Sequence, residues 1–85
     1  MQLNETVNLM NSDNYEDRFR AEFNQLDIRI NGLNRMLYAW TMNDLKFEPK
    51  CSYELLETQL LQMRAYRSIL EERARVENIQ LYQVD

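Results

Sequence analysis

Arginine is the residue type in this chain that is best suited to binding chemistry. Eight of the ten basic residues are arginine, the sequence contains no histidine, and Cys51 is the single cysteine. The guanidinium group pairs with phosphate or carboxylate through two parallel hydrogen bonds and stacks on aromatic faces. The composition therefore favours anion recognition and excludes imidazole acid–base catalysis, a cysteine- or histidine-rich zinc site and an intramolecular disulfide. Cys51 is not expected to be a nucleophile, because the sequence shows no base partner that would activate it.

Two groups of arginines stand at helical spacing. Arg18 and Arg29 lie four residues before and seven residues after Glu22, so an ion-pair ladder along one helix explains these residues without any ligand. Arg64 and Arg67 are three residues apart and would share a surface patch that could hold a phosphate. A solvated patch is the alternative, and spacing alone does not decide between the two.

Charge and hydropathy exclude two classes of partner. The chain has fourteen acidic and ten basic residues and a net charge of −4, whereas DNA or RNA binding requires a surplus of positive charge. No apolar run approaches the length of about eighteen residues that a membrane helix needs, and no secretory leader is present. We therefore expect a soluble cytosolic protein with neither a polynucleotide nor a membrane as its partner.

One apolar seam determines the expected fold. Its residues recur at alternating spacings of four and three: Phe19, Phe23, Leu26, Ile30, Leu33, Leu37 and Trp40. This heptad pattern predicts an α-helix about 40 Å long. One other segment can cover it, with a seam of Leu56, Leu60, Met63, Leu70 and Ala74 that Arg67 interrupts. The sequence thus predicts an all-α fold, a long antiparallel helical hairpin with a short N-terminal segment.

Capping residues and a proline define the expected bounds. We expect an N-terminal segment at 1–13 (short helix or tail), a hairpin at 14–78 and an extended tail at 79–85. Within the hairpin, the expected helices are 14–43 and 52–78 and the loop is 44–51. Asn14 with Asp17 approximates a capping box, Ser52 is a suitable N-cap and Pro49 bars a helix. Gly32, which costs about 1 kcal/mol inside a helix, indicates a close neighbour or a kink.

The second helix carries a wider arc of packing residues than one partner helix can cover. A flanking face adds Leu55, Gln59, Gln62, Tyr66, Ile69, Arg73 and Val76. The mixture of apolar side chains with glutamine, tyrosine and arginine is typical of an interface that is both packed and hydrogen-bonded. A chain of this length buries a modest fraction of its surface. We therefore expect a symmetric homo-oligomer, a dimer or higher.

Two segments resemble a family of small bacteriophage proteins. The first is Asp17-Arg18-Phe19 with Glu22, Leu26, Arg29-Ile30 and Leu33, and the second is Gln59-Leu60 with Met63, Tyr66, Ile69-Leu70 and Arg73. They resemble the helical-hairpin domain of phage sponge proteins that counter CBASS and Thoeris immunity, and of related small proteins of crAss-like and Firmicutes phages. The resemblance covers roughly residues 15 to 76.

The resemblance implies a phage-encoded, oligomeric protein of the host cytoplasm that is not an enzyme and needs no cofactor. Such proteins bind and sequester a cyclic nucleotide second messenger, either a cyclic oligonucleotide or a cyclised ADP-ribose, without cleaving it. The ligand-binding residues expected on this basis are Tyr15, Arg18, Arg29, Arg64, Tyr66, Arg67 and Arg73. The alternative is a small phage protein–protein interaction module or inhibitor that docks on a host protein through its helical face and exposes a large apolar patch.

Overall fold

Two long helices packed as an antiparallel hairpin form the body of the molecule. The computed structural model describes residues 2–7 and 14–82. In this part of the chain, a 3-10 turn at Leu3–Thr6 precedes helix α1 (Tyr15–Thr41) and helix α2 (Tyr53–Glu77), and no strand is present. The predicted all-α hairpin is confirmed. None of the described helices is long and apolar enough to cross a membrane.

Side-chain and backbone caps define both ends of α1. The Asn14 side-chain oxygen accepts hydrogen bonds from the amides of Glu16 and Asp17, which satisfies two of the amides that a helix start leaves unpaired. The last helical residue is Thr41, whereas the sequence pattern extended to residue 43. Asn43 adopts the left-handed conformation, with φ of 57°, and this turns the chain out of the helix.

Equivalent caps bound α2. The Ser52 hydroxyl oxygen accepts a hydrogen bond from the Leu55 amide at 3.1 Å. At the other end, Asn78 is left-handed, with φ of 59°, and the Ile79 amide donates to the Ala74 carbonyl at 2.9 Å. This arrangement closes the helix and directs the following residues back along the hairpin.

The core lies along the seam between the helices, as the heptad pattern predicts. The buried seam residues are Phe19, Phe23, Leu26, Ile30 and Leu37 of α1, and Leu60, Leu70 and Ala74 of α2. Leu33, Trp40, Leu56 and Met63 pack against them and are half-buried. Arg67, which interrupts the seam of α2, donates to the Asp27 carboxylate across the hairpin at 2.8 Å. The charge of Arg67 is therefore neutralised where it borders the core.

The N-terminal 3-10 turn packs against the side of α1 that faces away from α2. Thr6 and Ala21 are both fully buried. The Thr6 hydroxyl donates to the Leu3 carbonyl at 2.7 Å and accepts from the Gln25 amide at 2.9 Å. The turn therefore gives α1 a second contact, which the heptad pattern does not contain. Residues 8–13 of the predicted N-terminal segment lie outside the described residues.

The residues after α2 lie along one flank of the hairpin. Ile79 is buried, and the Tyr82 ring meets the Phe23 ring edge-on with centroids 5.5 Å apart. Arg20 donates to the Gln80 carbonyl at 2.7 Å. These contacts cover the half of the flank that is distant from the loop joining the helices. The last part of the predicted tail, 83–85, lies outside the described residues.

Gly32 has no structural requirement within the described part of the chain. Helix α1 continues through it without a break, and its φ is not positive. A Cβ atom built at this position would meet no atom of the described residues within 4 Å. The close neighbour that the sequence suggested is therefore not found among the residues that the structure describes.

Candidate functional site

A cleft opens between the two helices near the loop that joins them. Its volume is about 760 Å³, which is within the size range of small-molecule sites. The lining residues are Asn34, Arg35, Leu37, Tyr38, Thr41, Tyr53, Glu57, Leu60, Leu61 and Arg64. The buried side chains of Leu37 and Leu60 form an apolar floor. The polar and aromatic side chains form the walls.

Helical spacing and antiparallel pairing bring these residues together. Asn34, Tyr38 and Thr41 are four and three residues apart, so they form a row on one side of α1. On α2, Tyr53, Glu57, Leu60 and Arg64 form a row in the same way. Because the helices run in opposite directions, Arg64 lies opposite Asn34, and Tyr53 contacts Trp40 with ring centroids 5.4 Å apart.

The two arginines of the cleft form no ion pair with a carboxylate in the described part of the chain. Arg64 donates to the neutral side-chain oxygen of Asn34 at 3.2 Å, and neither Arg64 nor Arg35 forms an ion pair within 4 Å with any residue that the structure describes. Among the described residues that line the cleft, Glu57 is the one that is acidic. The cleft is therefore a site at which an anion gains attraction without displacing an internal carboxylate.

Four other arginines are already paired with carboxylates. They are Arg20 with Glu16 and Asp17, Arg67 with Asp27, Arg73 with Glu77, and Arg75 with Glu72. An external anion would have to compete with these partners. The contrast distinguishes the two arginines of the cleft from these four.

The aromatic rings of the cleft differ in how firmly they are held. Tyr53 is half-buried and packs edge-on against Trp40 at an interplanar angle of 84°. The Tyr38 side chain is 67% exposed on the opposite wall. Tyrosine faces stack on nucleotide bases. The cleft therefore combines guanidinium groups at one end with flat rings toward the loop.

Two of the predicted ligand-binding residues lie at or next to the cleft. Arg64 lines it. Arg67, one turn further along α2, lies beyond its end and is held by Asp27. The two arginines share a flank of the hairpin, as their spacing predicts, but Arg67 has a carboxylate partner and Arg64 has an amide partner.

Tyr15 and Arg73 come together at the opposite end of the hairpin from the cleft. The Arg73 guanidinium donates to the Tyr15 hydroxyl at 3.1 Å and lies 5.0 Å from the centre of the Phe19 ring. The Tyr15 hydroxyl in turn donates to Glu77 at 2.8 Å. The hydrogen bond with Tyr15 raises the pKa of Arg73, so this side chain remains charged. The cluster joins the start of α1 to the end of α2.

The remaining predicted residues, Arg18, Arg29 and Tyr66, are exposed and lie on the flank away from the cleft. Arg29 is two positions after Asp27, and Tyr66 is two positions after Arg64. A step of two residues turns a helix by about 200°, so each of these side chains points to the other side of its helix. The structure thus divides the seven predicted residues among the cleft flank, the opposite flank and the Tyr15–Arg73 cluster.

Of the residues that line the cleft, Arg64 alone was predicted as a ligand contact. The polar and aromatic residues that the prediction missed include Asn34, Arg35, Tyr38 and Tyr53. The sequence does contain a pattern that could have indicated these residues. It consists of two rows at helical spacing, one at the C-terminal end of α1 and one at the N-terminal end of α2. Antiparallel pairing places those two rows face to face. Elsewhere in the described part of the chain, Cys51 is exposed and no three potential metal-ligating side chains lie together.

The family of the chain follows from its sequence. No curated protein and no solved structure matches it. A family model described as Sequestin matches residues 13–76, about three quarters of the chain, a range that contains the whole of α1 and all but the last residue of α2. The match confirms the expected resemblance to ligand-sequestering phage proteins. The chain therefore belongs to the Sequestin family.

Proposed function

We propose that this protein binds and sequesters a cyclic nucleotide immune second messenger without cleaving it, and so counters bacterial anti-phage signalling. The family name denotes the sequestering of a ligand. The observation that carries the proposal is the cleft, in which Arg35 and Arg64 lack carboxylate partners among the described residues and stand beside Tyr38 and Tyr53.

The chemistry of the cleft matches that of such a messenger. A cyclic oligonucleotide or a cyclised ADP-ribose presents phosphates and flat bases in one compact molecule. Guanidinium groups pair with phosphate oxygens, and tyrosine rings stack on bases. The apolar floor of Leu37 and Leu60 excludes water from beneath the ligand, which strengthens both kinds of contact. Asn34 adds an amide that can hydrogen-bond a base edge.

The other predicted contacts take a secondary place in the proposal. Internal partners hold Arg67, Arg73 and Tyr15 in place. These residues would therefore affect ligand binding chiefly through their positions and their electrostatic field. Arg18, Arg29 and Tyr66 lie on the opposite flank, away from a ligand in the cleft, and have no part in the proposed site. Because sequestration requires no general base and no bond cleavage, the proposed activity needs no cofactor. We expect it to take place in the host cytoplasm.

A thermal-shift screen tests the proposal. The panel contains cyclic dinucleotides, cyclic trinucleotides and cyclised ADP-ribose isomers, with linear ADP-ribose and AMP as controls. A ligand that binds the folded form at one hundred times its Kd adds about 2.7 kcal/mol, which corresponds to a rise of roughly ten degrees in Tm for a domain of this size. Recovery of the intact ligand after denaturation would establish sequestration. A flat response across the panel, from well-folded protein, would refute the proposal for those ligands.

The alternative, a module that docks on a host protein, is favoured by one observation. Large apolar side chains of α2 are exposed, among them Leu55, Ile69 and Val76. A docking module would keep this surface bare in its own oligomer. A sponge would instead cover it with another copy.

A further inference from the structure

Glu57 brings a carboxylate into a cleft whose other charged groups attract anions. It lines the cleft from α2, and its side chain forms neither an ion pair nor a hydrogen bond with any residue that the structure describes. An ionised carboxylate accepts hydrogen bonds and donates none. A ligand that places donors against Glu57 is therefore favoured over one that places acceptors or negative charge there.

The hydrogen-bonding groups of the cleft differ in type along its length. At the end away from the loop, the Asn34 oxygen already accepts from Arg64 at 3.2 Å, so both side chains have only donors left to offer. Nearer the loop, Glu57 accepts. The Thr41 hydroxyl gives its proton to the Tyr38 carbonyl at 2.7 Å, so its oxygen also accepts. The cleft thus presents donors at one end and acceptors toward the other.

The distance between the two ends suits a nucleotide. Glu57 and Arg64 are seven residues apart on one side of α2, a separation of about 10 Å along the helix axis. In a nucleotide, the Watson–Crick edge of the base is the part most distant from the phosphate, whereas the ribose hydroxyls lie close to it. A phosphate bound by Arg64 therefore places the edge of the base, rather than the ribose, beside Glu57.

An exposed ring stands between these two positions. Tyr38 is four residues, about 6 Å along the axis, nearer the loop than Asn34, and 67% of its side chain is accessible. A base that stacks on this ring is held with its edge free to form hydrogen bonds. The choice between bases then depends on what each edge presents to the carboxylate.

Guanine and adenine present opposite patterns to a carboxylate. The Watson–Crick edge of guanine has two adjacent donors, the N1 hydrogen and the N2 amino group, which the two oxygens of one carboxylate accept together. Adenine presents its N6 amino group next to the N1 lone pair, so one carboxylate oxygen would face another acceptor. A site whose polar group is left unpaired by the wrong ligand discriminates strongly against that ligand.

We propose that Glu57 selects guanine, so that the cleft binds a guanine-containing nucleotide anion. The phosphate lies at Arg64, the base stacks on Tyr38, and its Watson–Crick edge donates to Glu57. The choice of base rests on the proposed function, since the cleft is the site in both. It adds the chemical class of base that the sequestered messenger carries.

NMR titration with nucleoside 5′-monophosphates tests the selection of the base. We expect the wild type to bind GMP five- to a hundredfold more tightly than AMP, the range found when paired hydrogen bonds read a base edge. IMP keeps the N1 hydrogen and lacks the amino group, so its affinity should lie between the two. Cyclic di-GMP and cyclic di-AMP of the same linkage should differ in the same direction.

Two matched variants assign the preference to Glu57. Glu57→Gln should bring the GMP to AMP affinity ratio to within about twofold of unity, because a carboxamide pairs with adenine as readily as with guanine. The ratio is the readout, since loss of a negative charge strengthens the binding of every anion. Glu54→Gln removes the same charge from the first turn of α2, outside the residues that line the cleft, and should keep the wild-type ratio.

Several results would overturn the proposal. They are equal affinities of the wild type for GMP and AMP, a wild-type ratio in Glu57→Gln, or no binding of GMP at millimolar concentration. Weaker binding of 2′-deoxy-GMP, together with equal affinities for GMP and AMP, would assign Glu57 to the ribose hydroxyls instead.

The two proposals can fail separately. A flat response to the cyclic ligands, with the guanine preference kept among the monophosphates, would refute the proposed messenger and leave the role of Glu57 in place. Tight binding of cyclic ligands without regard to base would support sequestration and refute the selection of guanine.

Discussion

Arg64 of α2 donates a hydrogen bond of 3.2 Å to the side-chain oxygen of Asn34 on α1. The bond joins the two walls of the cleft at the end where its positive charge lies. Asn34 orients the guanidinium group and leaves its charge in place. A carboxylate at the same position would orient the group and also neutralise its charge. The pair therefore holds Arg64 in place for an anionic ligand.

The exposed ring of Tyr38 should contribute to ligand binding and little to folding. We predict that Tyr38→Ala weakens binding of the best ligand by five- to a hundredfold, since stacking on an aromatic side chain contributes about 1–3 kcal/mol per base. Tyr38→Phe keeps the ring and should bind nearly as well as the wild type. Calorimetric titration measures both variants. Equal affinities for Tyr38→Ala and the wild type would show that this ring does not contact the ligand.

The Asp27–Arg67 pair should stabilise the hairpin measurably. Its side chains are 35% and 28% exposed and 2.8 Å apart. We predict that Asp27→Asn lowers the free energy of unfolding by about 1 kcal/mol, as expected for a partly shielded pair. Urea denaturation provides the value. The matched control is Asp44→Asn, which breaks a fully exposed pair with Lys46 and should change stability by a few tenths of a kcal/mol at most. Equal effects of the two variants would contradict the prediction.

Gly32→Ala should stabilise the protein. The helical backbone at this position suits any residue, and an added methyl group meets no described atom within 4 Å. Alanine also reduces the freedom of the unfolded chain, so we predict a gain of about 0.5–1 kcal/mol. Thermal denaturation of the two proteins measures the difference. A loss of stability would show that the backbone near Gly32 is approached by a group outside the described residues, such as another copy.

Ionisation of the Tyr82 phenol should lower the free energy of unfolding at alkaline pH. Partial burial and the nearby carboxylates of Glu71 and Asp27 raise the pKa of its phenol above the usual value of 10.0. Below pH 10 the phenol is neutral in both states and the stabilisation is complete. As the pH rises further, the unfolded chain loses this proton first, so stability declines until the folded phenol also ionises. We predict a shallower decline for Tyr82→Phe when urea denaturation is compared at pH 7 and above pH 10. Parallel declines would refute the effect.

The hairpin was predictable because its signal is local and repeated. Phe19, Phe23, Ile30 and Leu37 recur at the period that buries one side of a helix, and they are buried. The caps at Asn14 and Ser52 are equally local, since each side chain bonds an amide two or three residues away. By contrast, the spacing of the apolar residues in α1 does not indicate that the N-terminal turn packs over Ala21. That contact depends on Thr6 and Gln25, which are 19 residues apart.

The cleft was less predictable because it depends on which residues meet across the hairpin. Arg64 and Arg67 look equivalent in the sequence, yet Arg67 pairs with an aspartate 40 residues away and Arg64 with an asparagine 30 residues away. Arg35 and Tyr38 lie on an exposed side of α1, where periodicity does not indicate which flank is concave. An explicit antiparallel alignment of the two helices would have placed these residues beside Arg64.

The most direct test of the central claim is calorimetric titration of the best ligand from the screen into two matched double variants. Arg35→Gln with Arg64→Gln removes both cleft charges, while Arg18→Gln with Arg29→Gln removes two exposed charges from the opposite flank. The two double variants therefore have the same net charge as each other. We predict that the cleft variant loses at least a hundredfold in affinity, as expected for two charged hydrogen-bonding groups, and that the flank variant stays within about threefold of the wild type. Tight binding by the cleft variant, with loss in the flank variant, would contradict the account and move the site to the face of Arg18 and Arg29.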